Sequence, residues 1–227
     1  MLPLPLFSGD APLRYPAPRK AAQIDDYHGA RIADPYRWLE NADSPETAAW
    51  VSAENRLTGG YLAAIPERPR IRERLTRLID YETYSNEFAW GGRYFISHNT
   101  GLQNQDVLFT MDSAKSDGRV IIDPNTLRAD GTAALNSTSV SRDGKWLAYG
   151  IAQAGSDWSD LRVRDLNTGK DREDVIHWTK FTSAAWTPDS TGFYYTRFPE
   201  PSAKAVLTAV NLNARVYKHI LGQPQSS

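Results

Sequence analysis

Short runs of β-branched and aromatic residues, separated by Gly, Asp and Asn, occupy the sequence from residue 81 to its end. Residues of these types favour strands, and turn formers between closely spaced runs favour antiparallel hairpins. We therefore predict an all-β region here, with its clearest strands at residues 94–96, 107–109, 120–122, 146–149, 161–163 and 193–195.

A turn followed by an aromatic strand recurs three times in this region, at residues 91–95, 143–147 and 189–194. The spacing is roughly 50 residues, close to the ~40–50 residues of a propeller blade. Ser141 and Thr187 precede the turn in the second and third copies. Each turn predicts a tight hairpin, with Gly or Asp at the left-handed position. The repeat favours a β-propeller, and an ordinary antiparallel sandwich stays possible.

The first 80 residues have a different pattern, which predicts an extended arm followed by two helices. Ser44 and Pro45 suit the start of the first helix, which we expect to end at Gly59–Gly60. The second helix is predicted over residues 70–80. The arm, up to residue 19, contains five prolines: Pro3, Pro5, Pro12, Pro16 and Pro18. The apolar face of the first helix is formed by Trp50, Ala53 and Leu57, and that of the second helix by Ile71, Leu75 and Leu78.

Composition excludes several classes of function. The 227 residues carry 26 Lys and Arg against 27 Asp and Glu, so no net field favours nucleic acid or anionic lipid. Glu67, Glu73 and Asp80 are interleaved with the five arginines between residues 68 and 77, which indicates a solvated, charge-paired helix face. No apolar run approaches the ~20 residues of a membrane span. The start lacks a secretory signal, so we expect a cytoplasmic protein, or a periplasmic or secreted one if the start is incomplete.

The sequence contains no recognisable catalytic centre. There is no Gly-x-Ser-x-Gly elbow and no cysteine, and the four histidines are scattered without metal-ligand spacing. We expect each histidine to lie in a turn or at the surface, and we expect no metal ion and no cofactor. Asp157 and Asp160 flank Trp158 in a predicted turn, where they are either solvated acids or functional groups.

Several strings of residues together resemble the prolyl oligopeptidase family of serine peptidases. They are residues 26–40 (DYHGARIADPYRWLE), 99–105 (NTGLQNQ), 155–158 (GSDW), 181–187 (FTSAAWT) and 217–219 (YKH). The resemblance begins at about Tyr15 and continues to the end of the chain. It implies an α/β-hydrolase domain with a Ser-Asp-His triad, covered by a seven-bladed β-propeller that restricts entry to short peptides cut after proline.

The resemblance also implies how this chain is divided. By its content of helices and strands, the fold is expected to be α+β. Residues 1–80 are expected to be the arm and helices of the α/β-hydrolase domain. Residues 81–227 are antiparallel blades of an incomplete seven-bladed β-propeller, two blades and part of a third. The triad belongs to the C-terminal part of such enzymes, so no catalytic residue is expected in this chain. Its partners would be the missing hydrolase portion and, with the complete enzyme, short proline-containing peptides.

Two residues match substrate-binding positions of the family. Phe181 matches an aromatic that extends from the propeller toward the bound peptide. Asp157 matches an acid that faces the active-site cavity near an arginine of the hydrolase domain. The alternatives are blade packing for Phe181 and a turn cap for Asp157.

Two other functions remain open from the sequence: a non-catalytic propeller-type binding module, and an oligopeptidase that cleaves after basic residues. The run of residues 211–221 would be a strand of the third blade, so the chain would stop within a blade. We therefore expect the chain alone to be inactive and to expose unpaired strand edges.

Overall fold

The computed structural model describes residues 13–85, 87–202, 206 and 210–225. The chain divides into two compact units, Met1–Leu75 and Thr76–Ser227. The boundary between the units falls within the residues of helix α2, Arg68–Ile79.

The first unit contains a hairpin that the sequence pattern did not predict. Strands β1 (Ile24–Tyr27) and β2 (Ala30–Ala33) pair in antiparallel fashion and overlap the family-like string at residues 26–40. His28 and Gly29 both have positive φ, as a two-residue hairpin turn requires, and the Asp26 carboxylate accepts the Gly29 N–H. A short 3-10 helix, Arg37–Glu40, follows.

Helix α1, Pro45–Ala63, begins where predicted and ends later. The Ser44 hydroxyl accepts the Thr47 N–H at 3.0 Å, which confirms the predicted cap. The expected stop at Gly59–Gly60 was wrong, because neither glycine adopts the left-handed conformation that ends a helix. The helix continues to Ala63, three residues before Pro66.

Over the residues that the structure describes, the second unit contains three antiparallel sheets. All six strand runs predicted from the sequence lie within observed strands. Sheet 1 contains β3 (Thr83–Tyr84), β4 (Phe88–Trp90), β5 (Arg93–Asn99), β6 (Val107–Met111) and β7 (Arg119–Ile122). Sheet 2 contains β8 (Ala133–Val140), β9 (Trp146–Gln153), β10 (Ser159–Asp165) and β11 (Asp171–Thr179). Sheet 3 contains β12 (Ala185–Trp186), β13 (Gly192–Arg197) and β14 (Arg215–Ile220).

Sheet 2 is buried on both faces. Successive side chains of a strand point to opposite faces, so Leu147 and Tyr149 of β9 face sheet 1 while Ala148 faces sheet 3. On one side they pack with Phe95 and Ile122, and on the other with Phe193. The three sheets therefore pack face to face in chain order.

The three recurring turns lie together at one end of the sheets, which we call the turn end (residues 90–93, 141–146 and 187–192). A Cβ added to Gly144 would lie 2.0 Å from the Gly91 carbonyl oxygen, so the first two turns are in direct backbone contact. The Asp143 N–H donates to the Ser190 hydroxyl at 3.2 Å, which joins the second turn to the third. The repeated turns thus connect neighbouring sheets.

A buried histidine also joins sheet 2 to sheet 3. His219 was expected in a turn or at the surface, but it is buried on β14 and its Nε2 lies 2.7 Å from Asp174 Oδ1. Burial alone would raise the pKa of Asp174. Hydrogen bonds from the Gly222 N–H and Arg172 outweigh this effect and hold that pKa below its usual value. The expectation failed because the pairing joins residues 45 positions apart.

Candidate functional site

Three of the five family-like strings lie wholly or partly at the other end of the sheets. Because neighbouring strands are antiparallel, residues 100–106, 123–132, 154–158 and 180–184 all connect strands at this end, which we call the loop end. The strings at residues 99–105 and 155–158 and the start of the string at 181–187 therefore lie on one side of the unit. The sequence alone showed only their order.

Hydrogen bonds hold these connections to one another. The Asn125 side chain bonds to both backbone groups of Gln105, at 3.0 and 2.9 Å. Arg128 donates to the Gln153 side chain at 3.0 Å, and the Phe198 N–H donates to the Trp178 carbonyl at 3.2 Å. The loop end is thus supported by contacts both within and between sheets.

The two residues predicted to contact a peptide lie at the same end of sheet 2. Ser159 of β10 pairs with Thr179 of β11. Asp157 is two residues before this pair and Phe181 is two residues after it. The structure therefore places both residues at the loop end, where strands β10 and β11 begin and finish.

Phe181 is exposed and has a strained backbone. Its exposed fraction is 77%, and its φ is +52°. Trp178, three residues earlier, has φ of +63°. Such conformations cost of order 1–3 kcal/mol each for residues other than glycine. An outward-facing ring recovers little of that cost through burial, so packing within this chain does not explain the conformation of Phe181.

Asp157 is also exposed, and its carboxylate has no hydrogen bond or ion pair with any other residue that the structure describes. The turn before β10 is instead capped by Ser156, whose hydroxyl accepts the Trp158 N–H at 3.1 Å. Asp160 is engaged elsewhere: its Oδ1 lies 2.8 Å from His177 Nδ1. The two acids that flank Trp158 therefore have different surroundings.

Trp158 and Lys180 form a contact that the sequence did not predict. The Lys180 Nζ lies 3.9 Å from the centre of the Trp158 ring, and it donates to the Asn211 side-chain oxygen at 2.9 Å. The indole N–H of Trp158 donates to the Val206 carbonyl at 2.9 Å. Lys180 is only 8% exposed. A lysine beside an aromatic is the sole local signal, and burial of the ammonium group is decided by the tertiary structure.

A cavity of about 220 Å³ lies beside this contact. Its lining combines aromatic and aliphatic surface with a few polar groups, as binding cavities usually do. The lining residues are Ile151, Gln153, Ser156, Trp158, Ser159, Asp160, His177, Trp178 and Val206.

Within the described ranges, no three His, Cys, Asp or Glu side chains are grouped so that they could hold a metal ion. Over the same residues, neither helix has the length and apolarity needed to cross a membrane.

Comparison with known proteins gives a family. The family model described as prolyl oligopeptidase, N-terminal beta-propeller domain, matches residues 15–227. The chain belongs to the prolyl oligopeptidase family. This confirms the resemblance found in the sequence, and the three antiparallel sheets accordingly belong to the N-terminal β-propeller domain of that family.

Curated relatives in the family include prolyl endopeptidase from Elizabethkingia meningoseptica, 37% identical over 214 residues, which cover 94% of this chain and 30% of the relative. Prolyl oligopeptidase A from Galerina marginata (strain CBS 339.88) is 35% identical, with 95% of this chain and 33% of the relative covered. The chain thus spans about a third of the length of these relatives.

Solved structures in the family have the same fold. A prolyl endopeptidase from a study of inter-domain dynamics matches with a TM-score of 0.83 and 31% identity, covering 92% of this chain and 31% of that one. Prolyl oligopeptidase B from Galerina marginata, bound to a 35mer hydrolysis and macrocyclization substrate, matches with a TM-score of 0.79 and 30% identity. That match covers 95% of this chain and 33% of the other.

Proposed function

We propose that this chain is the N-terminal part of a prolyl oligopeptidase, a serine endopeptidase that cleaves short peptides after proline. The observation that carries the proposal is the position of three of the five family-like strings at one end of the sheets, with an exposed aromatic ring and a carboxylate that no described residue binds among them. The names of the relatives support proline rather than basic residues as the preferred site.

The proposal assigns the two parts of the chain to different portions of the enzyme. Residues 1–80 belong to the α/β-hydrolase side, and residues 81–227 form two blades and part of a third in a seven-bladed propeller that gates access. Exposure of apolar side chains on α2 supports this: Ile71, Leu75 and Leu78 are each about half exposed. A further hydrolase portion would bury them.

Phe181 and Asp157 are the proposed peptide-binding residues. An exposed aromatic ring offers an apolar surface for a side chain next to the proline. The Asp157 carboxylate is free to pair with an arginine of the hydrolase portion, and such a charge-assisted pair orients the arginine toward the peptide carbonyls.

The chain alone is proposed to be inactive. It lacks a Gly-x-Ser-x-Gly elbow, and a nucleophile, its base and the orienting acid act as one catalytic unit. Cleavage of a Gly-Pro fluorogenic peptide by the purified 227-residue chain would contradict this part of the proposal, provided that controls show no contaminating serine peptidase.

A chimera tests the function directly. The matched 30% of the E. meningoseptica prolyl endopeptidase is replaced by this chain, and labelling of the catalytic serine with a fluorophosphonate shows that the hydrolase portion is folded. We expect the labelled chimera to cleave the Gly-Pro peptide. A chimera that is labelled but does not cleave it would refute the proposal.

Two variants of the chimera test the site. Phe181→Ala and Asp157→Asn should each raise KM for the peptide about tenfold, since the first removes an apolar contact with the peptide and the second removes the ion pair that orients the arginine toward it. Trp90→Ala and Asp112→Asn are matched controls, because both residues are exposed and lie near the turn end. Unchanged KM in both site variants would refute the assignment of these residues.

A further inference from the structure

We infer that Lys180 is a positioning residue, which acts through Trp158 to hold Phe181 and Asp157 in a fixed relation at the loop end. This inference rests on the proposed function, because it concerns the two residues assigned there to peptide binding.

The first step is adjacency. Trp158 follows Asp157 directly, and Lys180 precedes Phe181 directly. The contact between the Lys180 ammonium and the Trp158 ring, at 3.9 Å, therefore joins the two connections that carry the proposed peptide-binding residues. Trp158 is itself fixed, because its ring packs edge-on against Trp178 at 5.5 Å. Any movement of one connection is transmitted to the other through this contact.

The second step is the cost of burial. Lys180 is more than nine-tenths buried, and no carboxylate among the described residues forms an ion pair with it. Among the described residues, its charge is compensated by the Trp158 ring and the Asn211 oxygen. An apolar side chain of the same length would fill the space without the loss of hydration. Stability alone therefore does not explain an ammonium group at this position.

The third step concerns Phe181. Its positive φ persists only if the neighbouring residues are held in place. Thr179 donates to the Ser159 carbonyl at 2.6 Å on one side, and Thr182 accepts the Thr196 N–H at 3.0 Å on the other. Lys180 lies between these two anchors. Its contact with Trp158 holds the residue directly before Phe181, whose ring is exposed.

Two substitutions separate positioning from a merely structural role. Lys180→Met keeps the length of the side chain and removes the charge, whereas Lys180→Arg keeps a cation that can lie on an indole ring. Lys145→Met is the control, because Lys145 is an exposed lysine at the turn end.

In the chimera with the E. meningoseptica hydrolase portion, Lys180→Met should raise KM for the Gly-Pro peptide about fivefold to tenfold with kcat nearly unchanged. Its melting temperature should be unchanged or higher, because a buried charge has been removed. Lys180→Arg should restore KM to within about twofold of the parent value, and Lys145→Met should change neither quantity. Unchanged KM in Lys180→Met, or a lower melting temperature with no rescue of KM by arginine, would overturn the inference.

Hydrogen exchange in the chimera gives a second readout that does not depend on catalysis. Lys180→Met should speed exchange of the amides of residues 180–183 about tenfold, and Lys180→Arg should not. Equal protection in the parent and Lys180→Met chains would show that the lysine does not order this connection.

The two proposals fail in different ways. If Phe181→Ala and Asp157→Asn leave KM unchanged, the peptide-binding assignment fails and this inference fails with it. If those two variants raise KM and Lys180→Met does not, the assignment stands and only the positioning role is refuted.

Discussion

The contact between the first two turns should make one glycine far less tolerant of substitution than another with the same backbone conformation. Gly144 and Gly155 have φ of +70° and +72°. A Cβ at residue 144 would lie 2.0 Å from the Gly91 carbonyl oxygen, whereas a Cβ at residue 155 would have nothing within 4 Å. Alanine at either position pays the left-handed conformational cost of about 1–2 kcal/mol.

Only Gly144→Ala adds a clash, and because the atoms it meets are backbone atoms of Gly91 and not the end of a flexible side chain, the added cost should be about 1–3 kcal/mol. Urea denaturation of the 227-residue chain, followed by circular dichroism, measures both variants. Gly144→Ala should lose about 1–3 kcal/mol more unfolding free energy than Gly155→Ala, equivalent to about 2–4 °C in melting temperature for each kcal/mol. Equal losses would show that the turns of neighbouring blades are not in contact, which would refute the arrangement of the turn end.

Three further predictions concern strain, pH and burial. Phe181→Gly should raise the unfolding free energy of the chain by up to about 1 kcal/mol, because it relieves a positive φ at an exposed residue, while raising KM in the chimera; a destabilised variant would contradict this. Hydrogen bonds from the Thr187 hydroxyl and the Thr191 N–H lower the pKa of Asp189 from 3.8 to about 2. The ionised Asp189 carboxylate therefore contributes fully to the unfolding free energy above pH 4, and this contribution is lost as the pH falls toward 2. The difference in urea midpoint between the parent and Asp189→Asn should therefore shrink across that range, and a constant difference would refute it. Phe95→Ala, at a fully buried site, should lower the unfolding free energy by about 3–5 kcal/mol. Leu75→Ala, at a half-exposed site, should lower it by less than about 0.5 kcal/mol. Similar losses in the two variants would show that α2 is covered in this chain.

The strands and the start of α1 were predictable because their signals are local. Runs of β-branched and aromatic residues mark strands wherever they are half buried, and Ser44 followed by Pro45 satisfies the first turn of a helix. The end of α1 was not predictable in this way. A glycine ends a helix only when the chain turns there, and Gly59 does not take the conformation that would do so.

The sequence by itself determined the family, the order of the elements and the identity of Phe181 and Asp157 as candidates, because these depend on residue strings and local periodicity. Only the tertiary structure decided that residues from four connections meet at one end of the blades, and that Lys180 is buried against Trp158. Contacts of this kind join residues that are distant in the chain, and their energy comes from burial and packing. The pattern of neighbouring residues carries no signal for them.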